Sequence, residues 1–154
     1  MQILFSNQKN KNNLIKYFFE KKNPLIDDNI EEIIDTFDEI SDYWVSNNFK
    51  IKNIFINNSM GFIIPWLKRA NTLKLLNLNF NDYKTLNDPV LNNEQKLKIF
   101  ARPQGTVLHW LAGNVPVISL ISLFQGILTK NKNIIKVSKS YKKVLPQIFE
   151  DLKN

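Results

Sequence analysis

The sequence predicts an α/β fold in which a helical N-terminal part precedes a strand-helix-strand unit. Two apolar runs, at residues 106–110 and 133–138, have the length and composition of buried strands. Between them lies a segment that is apolar on most of its circumference, as expected of a helix packed against a sheet. Strand, helix and strand fit in roughly 30 residues, the size of one right-handed βαβ crossover. We therefore expect half of a doubly wound nucleotide-binding sheet.

Composition excludes several classes of function. The 154 residues include no cysteine and one histidine, so the sequence predicts no disulfide and no metal site. The net charge of +7 comes mainly from lysines scattered among asparagine and isoleucine, whereas nucleic-acid binding would favour clustered arginines with aromatics, so we expect no nucleic-acid partner. The N-terminal apolar run is too short for a signal peptide and no stretch approaches ~18 apolar residues. We expect a cytoplasmic protein without a membrane span.

The sequence predicts helices in the first third of the chain. Residues 14–22 predict a short helix that ends before Pro24, and residues 28–46 predict an amphipathic helix with a capping box formed by Asp28 and Glu31. Six carboxylates on this second helix invite an acid-base interpretation, but a solvated outer face explains them better because no base, nucleophile or metal ligand lies nearby. They are Glu31, Glu32, Asp35, Asp38, Glu39 and Asp42.

The middle of the chain is less regular. Residues 49–56 alternate apolar and polar residues and predict a strand or a linker, and Ser59 predicts the cap of another helix with Pro65 near its start. The run at 75–80 continues that helix or ends it. Trp44 and Trp66 are expected to pack in the core. Residues 81–94 predict a loop, so we divide the chain into a helical segment, 1–90, and a partial cofactor-binding α/β unit, 91–154.

Local signals define the helix between the two strands. Pro116 suits the first turn of a helix, which we expect over residues 117–129, ending at Lys130 or at Asn131 in the left-handed conformation. A further helix follows Ser138, and Pro146 would kink it unless it begins near Lys143.

Three polar residues of this unit are candidate functional residues. Asn114 has two interpretations, a helix N-cap or a functional amide. Lys136 interrupts an apolar strand and must reach solvent or an anion, because an unpaired buried charge is costly. His109 could act as a general acid or base, although a hydrogen-bonded histidine in the core is the more frequent case. No glycine-rich dinucleotide fingerprint or P-loop is present.

The string PQGTVLHWLAGNVP, followed by ILTKN and IKVS, resembles the acyl-CoA reductase family of the aldehyde dehydrogenase superfamily. The resemblance implies the first βαβα unit of an aldehyde-dehydrogenase-like Rossmann cofactor domain, truncated, in an enzyme that uses NADPH to reduce a fatty acyl thioester to an aldehyde. It implies that Asn114 contributes to the oxyanion hole and that Lys136, with Ser138 beside it, contacts the adenosine ribose. Lys139 stands where many NAD-dependent relatives have glutamate, which favours NADP.

The chain departs from that family in having no cysteine, the residue on which the acyl intermediate forms. The resemblance therefore covers only an N-terminal segment, and we expect the chain alone to be inactive. Two further hypotheses remain: a non-catalytic remnant or split-gene module that assembles with a partner chain, and a basic helical adaptor. The expected partners are a fatty acyl thioester substrate and, for the module, a second chain or an acyl-transferring protein in an oligomer. A downstream reading frame with a cysteine would favour the reductase.

Overall fold

A computed structural model describes residues 22–46, 49–110 and 113–152, and it confirms the α/β class. The α-helices are α1 (Ile30–Ser46), α2 (Phe49–Asn57), α3 (Ile63–Trp66), α4 (Arg69–Phe80), α5 (Pro116–Leu128) and α6 (Leu145–Asp151). The strands are β1 (Val90–Asn92), β2 (Leu97–Ile99), β3 (Thr106–Trp110) and β4 (Lys132–Lys136). Two 3-10 helices lie at Tyr83–Leu86 and Lys139–Tyr141. The helix predicted at 14–22 lies outside the described residues, apart from its last residue.

Helix α1 confirms the amphipathic prediction for residues 28–46, but its cap differs from the predicted one. Its buried side chains recur at helical spacing along one face. The capping box is wrong: Asn29 Oδ1 accepts the hydrogen bond from Glu31 N at 3.0 Å, and Asn87 Oδ1 accepts that from Ile30 N at 2.9 Å. The helix thus begins with help from a residue 57 positions away in sequence, which local spacing could not reveal.

The segment that follows is helical, so the prediction of a strand or linker at residues 49–56 is wrong. Ile51 and Phe55 are buried in α2 and lie four residues apart, a spacing that matches one face of a helix. Ser59 is not a cap but adopts φ +55° in a turn. The single helix predicted after it is two helices, because Lys68 is extended (ψ 138°) between α3 and α4. Helix α4 runs through to Phe80, as one of the two alternatives predicted.

A β-hairpin occupies part of the segment predicted as a loop. Strands β1 and β2 pair antiparallel, with Val90 opposite Ile99 and Asn92 opposite Leu97. Lys96, in the turn, has φ +53°. Strands of three residues are too short to give a recognisable alternation, and the turn lacks the glycine or asparagine that would mark it at the left-handed position. Leu91 and Leu97 remain exposed on the hairpin.

Strands β3 and β4 form the predicted parallel pair. The register runs from Thr106 opposite Lys132 to Trp110 opposite Lys136. Helix α5 connects the two strands and packs against one face of this sheet, and Pro116 stands in its first turn as predicted. Helix α6 begins at Leu145 with Pro146 in the first turn, so this proline does not kink it.

The hydrophobic core joins the N-terminal helices to the βαβ unit. The rings of Phe37 and Phe124 meet edge to face at 5.1 Å between centroids, and this contact links α1 to α5. Trp44 is buried as predicted, packs on Phe55, and donates a hydrogen bond from Nε1 to Asp151 Oδ2 at 2.8 Å. Trp66 is partly buried against the same core. The division of the chain at residue 90 stays a prediction.

The end of α5 has a well-defined cap. The backbone N–H of Asn131 donates to Gly126 O at 2.9 Å and that of Lys130 donates to Ile127 O at 2.8 Å, which is the Schellman arrangement. The left-handed residue is Lys130, at φ +54°, and not Asn131 as predicted. The Lys130 side chain is buried, where Nζ donates to Asn87 Oδ1 at 2.7 Å. Burial lowers the pKa of Lys130.

Candidate functional site

The candidate site lies where β3 and β4 end. Strand β3 leads towards Gly113, Asn114 and the start of α5, and β4 leads to Ser138 and the 3-10 helix Lys139–Tyr141. In open α/β sheets ligands bind outside the carboxyl ends of parallel strands. All four residues predicted for the site therefore follow, or end, two adjacent strands at the edge where a ligand is expected.

The two connections at this edge contact each other. Tyr141 Oη donates a hydrogen bond to the backbone oxygen of Asn114 at 3.2 Å. A β-carbon added at Gly113 would lie 3.3 Å from both Ser138 Cβ and Ser140 Oγ, tighter than most real contacts of this kind. Glycine thus permits the loop before α5 to approach the turn after β4, which holds Asn114 close to the Ser138 segment.

The structure contradicts the interpretation of Asn114 as a helix cap. The N-cap position belongs to Val115, with φ −135° and ψ 93°, and no side chain makes a capping hydrogen bond there. The side chain of Asn114 is exposed at the carboxyl edge of the sheet. Its amide is consequently accessible to a ligand, and Val115 at the N-cap offers no side-chain acceptor to the first N–H groups of α5.

Lys136 is the last residue of β4 and is exposed, as expected of a lysine that must reach solvent or an anion. Its Nζ lies 3.3 Å from the ring centroid of Trp110, the residue directly opposite in β3. This cation-π contact is formed at the surface, because Trp110 is 72% exposed. The sequence did not single out Trp110; its position at the end of a strand, across from Lys136, was the available signal.

Ser138 contributes a hydroxyl group to this edge of the sheet. Its Oγ is buried and has no partner among the described residues, although buried polar atoms are nearly always paired. Ser138 occupies the N-cap position of the 3-10 helix, but its side chain makes no capping hydrogen bond. Nearby lysines are exposed and make this edge of the sheet electropositive: Lys136, Lys139, Lys142 and Lys143. An unpaired hydroxyl beside several cations suits an anionic ligand with hydroxyl groups.

His109 confirms the prediction of a core histidine. It is 5% exposed on the face of the sheet that α5 covers. Its Nδ1 lies 2.7 Å from Ser122 Oγ and its Nε2 lies 2.9 Å from Asn133 Oδ1. Because the Asn133 amide nitrogen already donates to Asn131 O, we assign the proton to Nε2, and Ser122 donates to Nδ1. Both ring nitrogens are used, so His109 joins β3, α5 and β4.

Gly126 is a residue whose role the sequence did not reveal. A β-carbon at this position would overlap Asn133 Oδ1, so only glycine in α5 leaves space for the amide that binds His109. The available signal was a glycine inside an otherwise apolar helix, seven residues before an asparagine in the next strand.

The solvated-face interpretation is confirmed for the four exposed carboxylates of α1, Glu32, Asp35, Glu39 and Asp42, whereas Glu31 and Asp38 are partly buried. Four of the six also form ion pairs. Glu31 and Asp35 bind the Arg69 guanidinium, while Asp38 and Asp42 bind Lys68. Asp38 Oδ1 also accepts a hydrogen bond from Arg69 N at 2.9 Å, which satisfies one N–H group at the start of α4. This bond is the largest cause that lowers the pKa of Asp38.

These ion pairs join α1 to Lys68 and Arg69 at the start of α4. Within the described part of the chain, no cluster of three or more histidine or acidic side chains could hold a metal ion. No helix in that part is long and apolar enough to span a bilayer.

Comparison with known proteins identifies relatives. The family model for acyl-CoA reductase (LuxC) matches residues 25–154. A long-chain acyl-protein thioester reductase from Aliivibrio fischeri is 52% identical over 40 residues, 26% of this chain and 8% of the relative. Its namesake from Photobacterium phosphoreum is 26% identical over 123 residues, 71% of this chain and 25% of the relative. The matched regions thus cover only 8% of the first relative and 25% of the second.

Proposed function

Because this chain belongs to the acyl-CoA reductase (LuxC) family, we propose that it is the N-terminal part of an NADPH-dependent reductase that converts a fatty acyl thioester to a fatty aldehyde. In this proposal β3, α5, β4 and α6 form the first βαβα unit of an aldehyde-dehydrogenase-like Rossmann cofactor domain. One observation supports it most: Asn114, Lys136, Ser138 and Lys139 gather at the carboxyl edge of two adjacent parallel strands.

The residues at this edge fit a dinucleotide cofactor. The unpaired hydroxyl of Ser138 and the ammonium group of Lys136 are suited to the ribose hydroxyls. Lys139, exposed one residue after Ser138, is suited to a 2′-phosphate, which distinguishes NADPH from NADH. Because Gly113 has no side chain, the loop before α5 can pack closely against the Ser138 segment. When bound, NADPH supplies the two electrons that reduce the thioester.

Asn114 is the residue proposed to act on the substrate. Its exposed amide lies at the start of α5, whose N-terminus is the positive pole of the helix. A donor amide at this position can stabilise the negative charge that develops on the thioester carbonyl oxygen. The Tyr141 hydrogen bond to the Asn114 backbone holds the loop in place. Asn114 would thus bind the oxyanion while the Ser138 segment binds the cofactor.

The substrate proposed is a long-chain acyl thioester, because the matched curated relatives are named long-chain acyl-protein thioester reductases. Acyl transfer in this proposal requires a cysteine thiolate, and the 154 residues have none. The thiolate must therefore come from another part of the reductase, on the same polypeptide or on a partner chain. The acyl donor, an acyl-CoA or an acylated protein, would approach the Asn114 side of the edge.

A second candidate function is a non-catalytic module that assembles with a partner chain. Two observations favour it: the absence of cysteine, and the face of the sheet opposite α5, where Leu108 is 52% and Trp110 72% exposed. Parallel sheets are normally covered on both faces. Such a module would retain the fold without binding the cofactor, which is the point that separates the two functions.

The test is a direct titration of residues 1–154 with NADPH and NADH, combined with an assay of NADPH oxidation in the presence of a long-chain acyl-CoA. We expect saturable binding with NADPH preferred over NADH, and no turnover. Turnover by this chain would exclude the cysteine mechanism. Failure to bind either nucleotide would exclude the cofactor-binding function and favour the module.

A further inference from the structure

Trp110 is the most exposed aromatic residue in the described part of the chain, with 72% of its surface accessible. It occupies the last position of β3, at the carboxyl edge where the candidate site lies. Its neighbour at the same end of the sheet is Lys136, whose ammonium group rests on the indole face. A large exposed ring at this edge is a notable feature, since tryptophan normally contributes its surface to a core or an interface.

We infer that Trp110 is a stacking platform for the adenine base of the nucleotide, and that Lys136 exchanges the indole face for the ribose when the nucleotide binds. This inference rests on the proposed function, because it concerns the same edge of the sheet. It adds a residue and a contact that the family resemblance does not provide. Lys136 then has two alternative partners, the Trp110 ring in the free protein and the ribose hydroxyls in the complex.

The strength of the two contacts favours the exchange. A cation-π contact on an exposed indole contributes little binding free energy, whereas a nucleobase stacked on an aromatic ring contributes more. The stacking contribution is available to any base, because every base has a π-face. The Lys136 ammonium group that leaves the indole ring still has a favourable contact, because the ribose hydroxyls replace the ring as its partner. Adenine therefore gains a platform while Lys136 gains a hydrogen bond to the sugar.

The geometry of the sheet keeps these groups within reach of one ligand. Trp110 and Lys136 are directly opposite in the parallel register, and neighbouring strands lie about 4.8 Å apart. Ser138 and Lys139 lie two and three residues after Lys136, and the buried Ser138 hydroxyl, which has no hydrogen-bond partner among the described residues, lies beside the loop of Gly113. A base on Trp110, a ribose at Lys136 and a phosphate at Lys139 correspond to the order of groups in the adenosine half of NADPH.

A second cation-π pair shows why Trp110 is distinctive. Arg102 lies over the Phe100 ring at 5.1 Å, and Phe100 is 39% exposed, but this pair follows the β1–β2 hairpin and has no parallel strand end beside it. Phe100 is therefore a matched control, an exposed ring with a cation at a place where no nucleotide is expected.

The experiment measures the affinity of three probes by equilibrium dialysis: NADPH, adenosine 2′,5′-bisphosphate, and reduced nicotinamide mononucleotide, which lacks adenine. In Trp110→Leu we expect NADPH and the adenosine bisphosphate to bind roughly 10-fold more weakly, on the scale of one lost stacking contact. The mononucleotide should bind as it does to the unmodified chain. Trp110→Phe should restore most of the loss, and Phe100→Leu should change no affinity. Because Trp110 is exposed, the fold should survive, which circular dichroism verifies.

The outcomes separate this inference from the proposed function. If Trp110→Leu binds NADPH normally while Lys136→Ala binds it more weakly, the stacking role is wrong and cofactor binding stands. A loss for all three probes in Trp110→Leu would indicate a damaged sheet edge rather than stacking, and would also contradict the inference. If the unmodified chain binds neither NADPH nor the adenosine bisphosphate, the cofactor-binding proposal fails, and the stacking role fails with it.

Discussion

His109 Nε2 and Asn133 Oδ1 are joined by a hydrogen bond of 2.9 Å that connects the two parallel strands on their covered face. The other ring nitrogen of His109 bonds Ser122 on the crossover helix. One imidazole therefore satisfies polar groups from the strand-helix-strand unit in a place that solvent barely reaches. This arrangement predicts a structural role rather than acid-base chemistry for the chain's single histidine.

We expect His109→Leu to lower the free energy of unfolding by about 1–3 kcal/mol, because the Asn133 carbonyl would remain buried without its donor. Ser122 can turn to a backbone carbonyl of its own helix and should contribute less. His109→Gln, which keeps an amide donor, should lose less. Urea unfolding followed by tryptophan fluorescence measures the difference. A leucine variant as stable as the unmodified chain would show that the histidine bonds contribute nothing.

Gly126→Ala should destabilise the chain by about 1–3 kcal/mol, the range for a well-packed site that must accommodate an extra carbon. The reason is the overlap between the new β-carbon and the Asn133 amide, which must move and release His109. The matched control is Gly61→Ala, where a β-carbon meets nothing within 4 Å and φ is not positive. Equal thermal midpoints for the two alanine variants would contradict the prediction.

Asp38→Ala should cost about 0.5–2 kcal/mol at neutral pH, as for the loss of a helix N-cap, because its carboxylate accepts the hydrogen bond from Arg69 N at the start of α4. The pKa of Asp38 is lowered below its ordinary value of 3.8. Its contribution is therefore complete above pH 3.8 and is lost as pH falls through the lowered pKa of the folded state.

Unfolding midpoints measured from neutral to acidic pH should converge for Asp38→Ala and the unmodified chain at the acid end. Glu39→Ala, an exposed position on the same helix, serves as the control and should stay within about 0.5 kcal/mol throughout. A constant gap between the Asp38 variant and the unmodified chain at all pH values would rule out a charge-dependent cap.

Asn114→Ala, introduced into a reductase that contains this segment together with its cysteine-bearing part, should lower kcat by roughly 10²–10³, the usual loss for one oxyanion-hole donor. Substrate binding should change little, because the charge that Asn114 is proposed to stabilise develops only in the transition state. Since Val115 and not Asn114 occupies the N-cap of α5, thermal stability should be unchanged. Unchanged kcat would exclude Asn114 from the oxyanion hole.

Lys136→Ala should weaken NADPH binding by roughly 1.5–3 kcal/mol, the scale of a hydrogen bond to a charged group. Lys139→Glu should shift the preference towards NADH, because a carboxylate repels the 2′-phosphate and accepts hydrogen bonds from the ribose hydroxyls that NADH offers. Competitive titrations with both nucleotides measure this. Lys98→Glu, with an exposed lysine on the β1–β2 hairpin, tests whether the net charge alone explains the shift.

The βαβ unit was predictable because its signals are local. Pro116 at the first turn of α5 and the apolar strands on either side define it within a few residues. The α2 region was not predictable in the same way, since FKIKNIFI supports both an alternating and a helical pattern. The helix is favoured because it buries Ile51 and Phe55 in the hydrophobic core. The core surface that covers them cannot be inferred from the sequence.

Long-range contacts account for most of what the sequence did not predict. Asn87 caps α1 from 57 residues away and also binds the buried Lys130, so neither helix end follows from neighbouring residues alone. At the candidate site, the sequence placed Asn114, Lys136 and Ser138 at strand ends, and strand topology then brought them together. It could not reveal Gly126 or Trp110, whose importance depends on what lies across the sheet.

The hydrogen bonds of the imidazole have a consequence for the order of folding events. They close over only 13 and 24 residues, whereas the bond between Trp44 and Asp151 closes over 107. Closing a longer loop costs more chain entropy and, in small domains, slows folding. The strand-helix-strand unit should consequently assemble first and provide the surface on which α1 docks. Substitutions at His109 would then slow refolding, while substitutions at Trp44 would mainly accelerate unfolding.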